Sequence, residues 1–237
     1  MKQDLNKNFD FGYERVTEEE KTDKVGAVFD SVSQKYDLMN DLMSLGLHRF
    51  WKRFAMMHTG LTEGMSALDV AGGTGDLASS LCQQVGKKGT VVLTDINFNM
   101  LINGRSKLLD QGKLNQINLI QSNAESLPFV NDFFDCITIG FGLRNITNKE
   151  KALTSIMQVI KPGGRLLILE FSKPNELISP FYDFYSFSVL PKLGDWVVND
   201  ADSYQYLAES IRMHPDQKKL KAMMETIGFS NCEYFNL

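Results

Sequence analysis

The stretch "ALDVAGGTGDLA", residues 67 to 78, opens as an apolar strand, breaks at Gly72-Gly73-Thr74-Gly75 and resumes as a helix. Three glycines in four residues at a strand end mark a place where something approaches bare backbone, because a Cβ there would block it. Further short apolar runs bounded by turn residues follow at "TVVLTD" (90 to 95), "INLIQSN" (117 to 123), "FDCITIGF" (134 to 141) and "RLLILEF" (165 to 171). Helical-length segments separate the first three runs and precede the last. Repeated strand-helix-strand units predict an α/β fold: a mostly parallel sheet with helices on both faces. In such a sheet ligands lie outside the carboxyl ends of the strands where the winding reverses, and the glycine turn is the first of those ends. A helix beginning near Asp76 would aim free N–H groups at the ligand.

Outside this alternation the pattern changes twice. Residues 17 to 58 read as helical, with Phe29, Val32, Tyr36, Met39 and Met43 recurring at three- and four-residue steps. Residues 1–58 are therefore expected to be a leader and helical cap, and 59–237 a single catalytic domain. An aromatic-rich insertion interrupts that domain at about 179–212. The helix over 149–160 is expected to start at a capping box made by Thr147 and Glu150, and "KPGG" (161 to 164) turns it into the next strand. Pro215 is placed to start a helix, and "CEYFNL" at the end reads as strand-like.

Composition excludes several classes. The 237 residues suffice to bury a full core, and no run of eighteen apolar residues occurs. The amino terminus has neither the apolar core of a secretion signal nor the acid-poor bias of a transit peptide, which predicts a cytoplasmic protein. Cys82, Cys136 and Cys232 are few, odd in number and scattered, offering no disulfide or zinc framework. A formal charge of -4 argues against a nucleic-acid partner.

The glycine turn alone does not choose a ligand. Gly73-x-Gly75-x-x-Ala78 fits a relaxed dinucleotide fingerprint, and Asp95, at the end of the second strand, suits a ribose in either a dinucleotide or a nucleoside ligand. Charge is more selective. The turn is flanked by Asp69 and Asp76, with no Lys or Arg between 54 and 86. A pyrophosphate placed there would meet repulsion of roughly 1 to 4 kcal/mol per close charge pair. A ligand with a cationic end is favoured, and S-adenosylmethionine, carrying an ammonium and a sulfonium, meets that need; Asp69 is placed to meet the ammonium. Asn123 and the backbone of Ala124, after the third strand, suit an adenine edge, and "GFGLRN" (140 to 145) lies across the switch point. Each has a plainer reading: an anonymous strand-turn-helix, a loop-capping Asn123, a solvated surface Arg144.

The strings "DVAGGTGDLA", "NAESLPF", "FDCITIGFGLRN", "NDADSYQYLAESIRMHPDQ" and "VFDSVSQKYDLMNDLMSLGLHRFWKR" resemble the ubiquinone/menaquinone biosynthesis C-methyltransferase family from about residue 12 onward. The resemblance implies a class I S-adenosylmethionine-dependent methyltransferase fold, Rossmann-like. It also implies methyl transfer to a ring carbon of a polyprenylated quinol, either demethylmenaquinol or 2-polyprenyl-6-methoxy-1,4-benzoquinol. Family cofactor positions fall on Thr74, Asp95, Asn123, Ala124 and residue 140. Family members usually show Ser at that last position; Gly140 would lack a hydroxyl contact and keep only a backbone one. The family resembled also continues for about a dozen residues into a strand that slots antiparallel between the fifth and sixth, so an exposed sheet edge and lower stability are expected here. A lipid substrate further implies peripheral membrane contact, and other quinone-synthesis enzymes are candidate partners.

The chemistry can be argued independently. A quinol ring carbon is a poor nucleophile until a hydroxyl ionises, and a phenol of pKa near 10 needs about 4 kcal/mol to ionise at pH 7. Arg144, always protonated, is assigned to stabilising the phenolate, and Asn145 to orienting the hydroxyl or a water. The displacement at the methyl group then asks for alignment in a dry pocket and needs no metal. His48, His214, Asp200, Asp202 and Tyr204 are base candidates by type, each with a structural alternative such as a helix cap at Asp202. Tyr36 suits either closure over the methionine end of the donor or core packing. The aromatics Phe181, Tyr182, Phe184, Tyr185, Phe187, Trp196, Tyr204 and Tyr206 suit a pocket wall, a bilayer interface or a core. Two other functional classes fit part of the pattern: an NAD-type oxidoreductase, and a non-catalytic methyl-donor-binding partner in a quinone-synthesis assembly.

Overall fold

The computed structural model describes residues 8–172, 188 and 201–237. Five parallel strands form the central sheet: β3 (Ser66–Val70), β4 (Thr90–Asp95), β5 (Ile117–Gln121), β6 (Phe134–Gly140) and β7 (Ile160–Leu169), in the order β5-β4-β3-β6-β7. The chain winds outward from β3 to β5, then crosses to the other side of β3 for β6 and β7. The reversal therefore falls between the carboxyl ends of β3 and β6, where the glycine turn was expected to matter.

Strand alternation decides what packs where. Ala67, Val91 and Leu93 face α4 (Asp76–Val85) and α5 (Phe98–Asp110), whereas Leu68, Val70, Val92, Ile137 and Ile139 face α6 (Lys149–Val159). With both faces covered, the central strands read as near-continuous apolar runs. A third cluster joins α1 (Glu18–Val32), α2 (Tyr36–Ser44) and α7 (Ala201–Met213) through Val28, Val32, Met39, Met43, Tyr204 and Leu207. It sits on Phe141 and Phe171, beyond the carboxyl ends of β6 and β7, so the helical cap lies over the rim that should bind ligands. α3 (His48–Met56) completes the cap, and α8 (Gln217–Ile227) packs against α6. Among the described residues no helix is long and apolar enough to cross a membrane.

Four expectations are corrected. The leader holds a short hairpin, β1 (Phe9–Phe11) with β2 (Glu14–Val16), turning at Gly12. The cap of α6 is Asn148, whose side chain accepts the Lys151 N–H at 3.0 Å, in place of Thr147; the capping box belongs instead to Thr17 and Glu20 at the start of α1. α8 begins after Pro215, capped by Asp216. Finally, "CEYFNL" forms no strand. Its Phe235 ring packs on Phe54 and His58 of the α3 region, with centroids 5.5 and 5.1 Å apart. A cavity of about 990 Å³ lies among this tail, α3 and β7, whose ladder partner among the described strands is β6. The aromatics from Phe181 to Trp196 and Asp200 lie outside the described residues.

Candidate functional site

The carboxyl end of β3 is built around two tight glycines. Gly72 donates its N–H to Thr94 O (3.0 Å), and a Cβ on it would come within 2.5 Å of Asp69 Oδ2 and overlap Leu93. Gly73 holds a φ of 57°, which L side chains rarely adopt, and donates its N–H to Asp95 Oδ2 at 2.9 Å. Asp95 Oδ1 accepts the Asn97 N–H, also at 2.9 Å, and burial pushes the Asp95 carboxyl up to about 6. Beside this turn a cavity opens between the sheet rim and α1. Gly73, Asp95, Asn123, Ala124 and Asn145 line it, together with Tyr36 and Phe29 from the cap. Among the described residues its lining includes two carboxylates, Asp95 and Glu125, and no Lys, Arg or His.

The other sequence-predicted residues shape this cavity from behind. Asp69 does not reach it: the side chain is fully buried, Oδ1 accepting from Thr138 Oγ1 (2.7 Å) and Oδ2 from the Ala78 N–H (3.1 Å) in the first turn of α4. Burial pushes its carboxyl up to about 7. Thr74 is buried, Gly75 is the left-handed N-cap of α4, and Gly140 ends β6 under Leu77, whose Cδ1 would lie 2.7 Å from a Cβ there. Asp76 is not a lone negative charge. Lys52 and Lys107 reach it from α3 and α5 at 2.7 and 2.6 Å, and despite the opposing effect of burial they hold its carboxyl down at about 2. The repulsion expected from Asp69 and Asp76 is thus corrected. The carboxylates that line the cavity are Asp95 and Glu125, and Glu125 is itself tied to the Asn148 N–H at 2.8 Å and to Lys151 at 3.9 Å.

Across the switch point, Phe141 takes a left-handed φ of 58° and ties its N–H to Leu169 O at 2.7 Å. That twist turns its carbonyl toward the Leu143–Asn145 turn, where it accepts from Arg144 Nη1 (2.6 Å) and Asn145 Nδ2 (3.4 Å). Arg144 is neither a surface arginine nor part of the cavity lining. It is buried against Glu170, with Nη1 2.6 Å from Oε1, while its backbone N–H meets Oε2 at 3.0 Å. Burial opposes its charge, but Glu170 and neighbouring groups raise its affinity for the proton. Among the described residues its Nε has no partner. Lys149 braces the same turn, donating to the Arg144 and Ile146 carbonyls at 3.3 and 3.2 Å, and burial brings its ammonium down to about 8.

The sequence profile of the ubiE/COQ5 methyltransferase family matches residues 16–237. The chain belongs to that family. As a methyltransferase of this family it is 58% identical over 231 residues to the ubiquinone/menaquinone biosynthesis C-methyltransferase UbiE of Serratia proteamaculans, covering 96% of this chain and 91% of that one. The protein of the same name from Salmonella newport is 56% identical, over 100% of this chain and 95% of its own. Among solved structures, a putative S-adenosyl-L-methionine-dependent methyltransferase from Methanococcus maripaludis superposes with a TM-score of 0.60 at 17% identity, covering 85% of each chain. The YcgJ protein of a Bacillus gives 0.57 at 20% identity, covering 76% of this chain and 68% of its own. These structural likenesses bear on the fold, which is the Rossmann-like class I arrangement.

The residues present fit S-adenosylmethionine, the donor of this methyltransferase family. The turn at Gly72-Gly73 leaves backbone bare, Asp95 offers carboxylate oxygens at a strand end, and a lining acidic and without cations among the described residues suits an ammonium and a sulfonium better than a pyrophosphate. Of the base candidates, His48 is committed to Asp41 at 2.8 Å, Tyr204 lies in the core and Asp202 is exposed in the first turn of α7. His214 is buried with both ring nitrogens unpartnered, but it lines the cavity beside β7 and not the donor crevice. Sequence reading missed Glu170, Lys52 and Asp30 and named Tyr206 only among the aromatics; all four act on partners far away in the chain.

Proposed function

We propose that this methyltransferase moves the methyl group of S-adenosylmethionine to a ring carbon of a polyprenylated quinol, demethylmenaquinol or 2-polyprenyl-6-methoxy-1,4-benzoquinol. The names of its full-length relatives support that substrate class. The carrying observation is the juxtaposition at the switch point: a crevice whose described lining carries Asp95 and Glu125 and no Lys, Arg or His opens directly onto the turn that holds Asn145 and, behind it, Arg144. When bound, the donor supplies a methyl group on a sulfonium, ready for displacement.

The chain's residues do the rest. Gly73, Asp95, Asn123 and Ala124 hold the donor, over a floor shaped by Asp69, Gly72, Thr74, Gly75 and Gly140. The described part of the amino-terminal region, residues 8–58, serves as the cap: Phe29 and Tyr36 close the crevice and exclude water, which raises the value of every charge inside. Asn145 meets the acceptor's oxygen, and the Arg144 guanidinium, pinned by Glu170 and with Nε unpartnered among the described residues, supplies positive potential to the developing phenolate. A quinone has no hydroxyl to ionise, so the reaction is confined to the reduced ring.

Contact with a bilayer belongs to the same reading. α3 turns Trp51 and Lys52 inward, toward Phe171 and Asp76, while Phe50 (61% exposed), Met57 (68%) and Leu45 (74%) stand outward beside exposed Arg49 and Arg53. An apolar outer face edged with arginines suits an interface containing anionic lipid.

The test is transfer from methyl-labelled S-adenosylmethionine to membranes carrying demethylated quinones, run reduced and oxidised, with mass spectrometry of the lipid extract. A ring-carbon methyl formed in the reduced arm only is expected. Label on oxygen, or equal labelling of oxidised lipid, contradicts the reading.

A further inference from the structure

Asn145 lines the donor crevice, and its amide is fixed from two sides. The Phe141 carbonyl can only accept, so the group facing it at 3.4 Å is Nδ2. Oδ1 is thereby turned to the Tyr206 hydroxyl 3.0 Å away, which must donate. The Phe141 carbonyl thus decides which end of the amide is which, and the shorter Tyr206 bond holds Oδ1 in place. Tyr206 is itself immobilised. It is buried on α7, and its ring stacks on Phe11 of the hairpin with centroids 4.2 Å apart and planes 15° apart. The charged groups acting on its hydroxyl are Arg144 and Glu170, and burial keeps it protonated well above the ordinary tyrosine range.

We infer that Tyr206 is a positioning residue that locks Asn145 as a hydrogen-bond donor toward the acceptor's oxygen. With one Nδ2 hydrogen on the Phe141 carbonyl and Oδ1 held by Tyr206, the second Nδ2 hydrogen is what Asn145 has left to donate to the crevice, which favours a phenolate. The inference rests on the reading of Asn145 as the residue that meets the acceptor. It also assigns proton removal to something other than Asn145, and gives the hairpin and α7 a share in the site that their distance along the chain conceals.

The experiment is a double-mutant cycle on methyl transfer with Tyr206→Phe, Asn145→Ala and both together. Phe keeps the ring that stacks on Phe11. Tyr206→Phe should lower kcat by about tenfold and Asn145→Ala by about a hundredfold, within the range for losing one donor to a developing oxyanion. Donor affinity should stay unchanged in each, and the double variant should be no slower than Asn145→Ala. The acid limb of the kcat–pH profile should move to higher pH in Tyr206→Phe, since a less stabilised phenolate forms later. Asn145→Asp, needing no change at 206, still accepts from Tyr206 but offers the crevice no N–H, so it should be as slow as Asn145→Ala. If Asn145→Ala alone runs at the wild-type rate, the reading of Asn145 fails. If it is slow but the two losses multiply, if Tyr206→Phe leaves the pH profile unmoved, or if Asn145→Asp is fast, the role of Tyr206 is overturned.

Discussion

Three aspartates around one glycine turn carry three different tasks, and burial and partners separate them. Asp69 and Asp95 are pushed up to about 7 and about 6, chiefly by burial, while Asp76 is held at about 2 by Lys52 and Lys107. A carboxyl raised on folding binds protons that the unfolded chain has released. The stabilising contribution of Asp69 is therefore complete below about pH 4 and lost as pH rises through about 7; that of Asp76 is present above about pH 4 and lost on descent toward 2. Asp69→Asn should accordingly flatten the slope of Tm against pH between 5 and 7, and an unchanged slope would refute the assignment. Arg144→Ala should cut transfer at least a hundredfold with little change in donor affinity. It also strands buried Glu170, at a cost of about 3–5 kcal/mol, so Arg144→Met with Glu170→Gln is the better variant: stability should return and transfer should not. Residues whose task depends on chain neighbours, such as Gly73 and Asp95, were legible in sequence. Arg144 was legible as a chemical type but not as a buried pair, because Glu170 arrives from another strand.

At the level of elements, the cap and the sheet are joined by a small clasp. Asp30 Oδ1 on α1 accepts from Asn97 Nδ2 at 2.8 Å and from Asn99 Nδ2 at 2.9 Å, just past Asp95 and at the start of α5. α1 also supplies Val25, Gly26 and Phe29 to the crevice wall. Asp30→Ala should therefore weaken S-adenosylhomocysteine binding several-fold and speed amide exchange over residues 18–32, leaving the sheet amides protected. Equal exchange in both elements would show that α1 is held by apolar packing alone. The five strands were readable because their apolar runs are bounded by turns, and the cap helices because Val32, Met39 and Met43 recur on a buried face. The β1–β2 hairpin was not, since three-residue strands carry too little alternation to register. "CEYFNL" misled for the converse reason: its residues suit a strand, yet Phe235 finds its partners on α3.

For the whole molecule, a polyprenylated quinol comes from lipid and the donor from water, and exposed Leu45, Phe50 and Met57 are the proposed lipid contact. Flotation with anionic liposomes should carry the protein upward, and Leu45→Ser with Phe50→Ser and Met57→Ser should leave it in the soluble fraction while donor binding is kept. Equal flotation of the variant would move the lipid contact elsewhere. Everything nonetheless depends on the crevice being the donor site, and calorimetric titration of S-adenosylhomocysteine and of NAD into wild type and Asp95→Asn between pH 5 and 8 tests that most directly. Binding of S-adenosylhomocysteine but not NAD is predicted, strengthening as Asp95 ionises through about pH 6 and weakened at least tenfold in Asp95→Asn, a loss of roughly 1.4 kcal/mol. Tight NAD binding, or an Asp95→Asn variant that binds the donor product as wild type does, would contradict it.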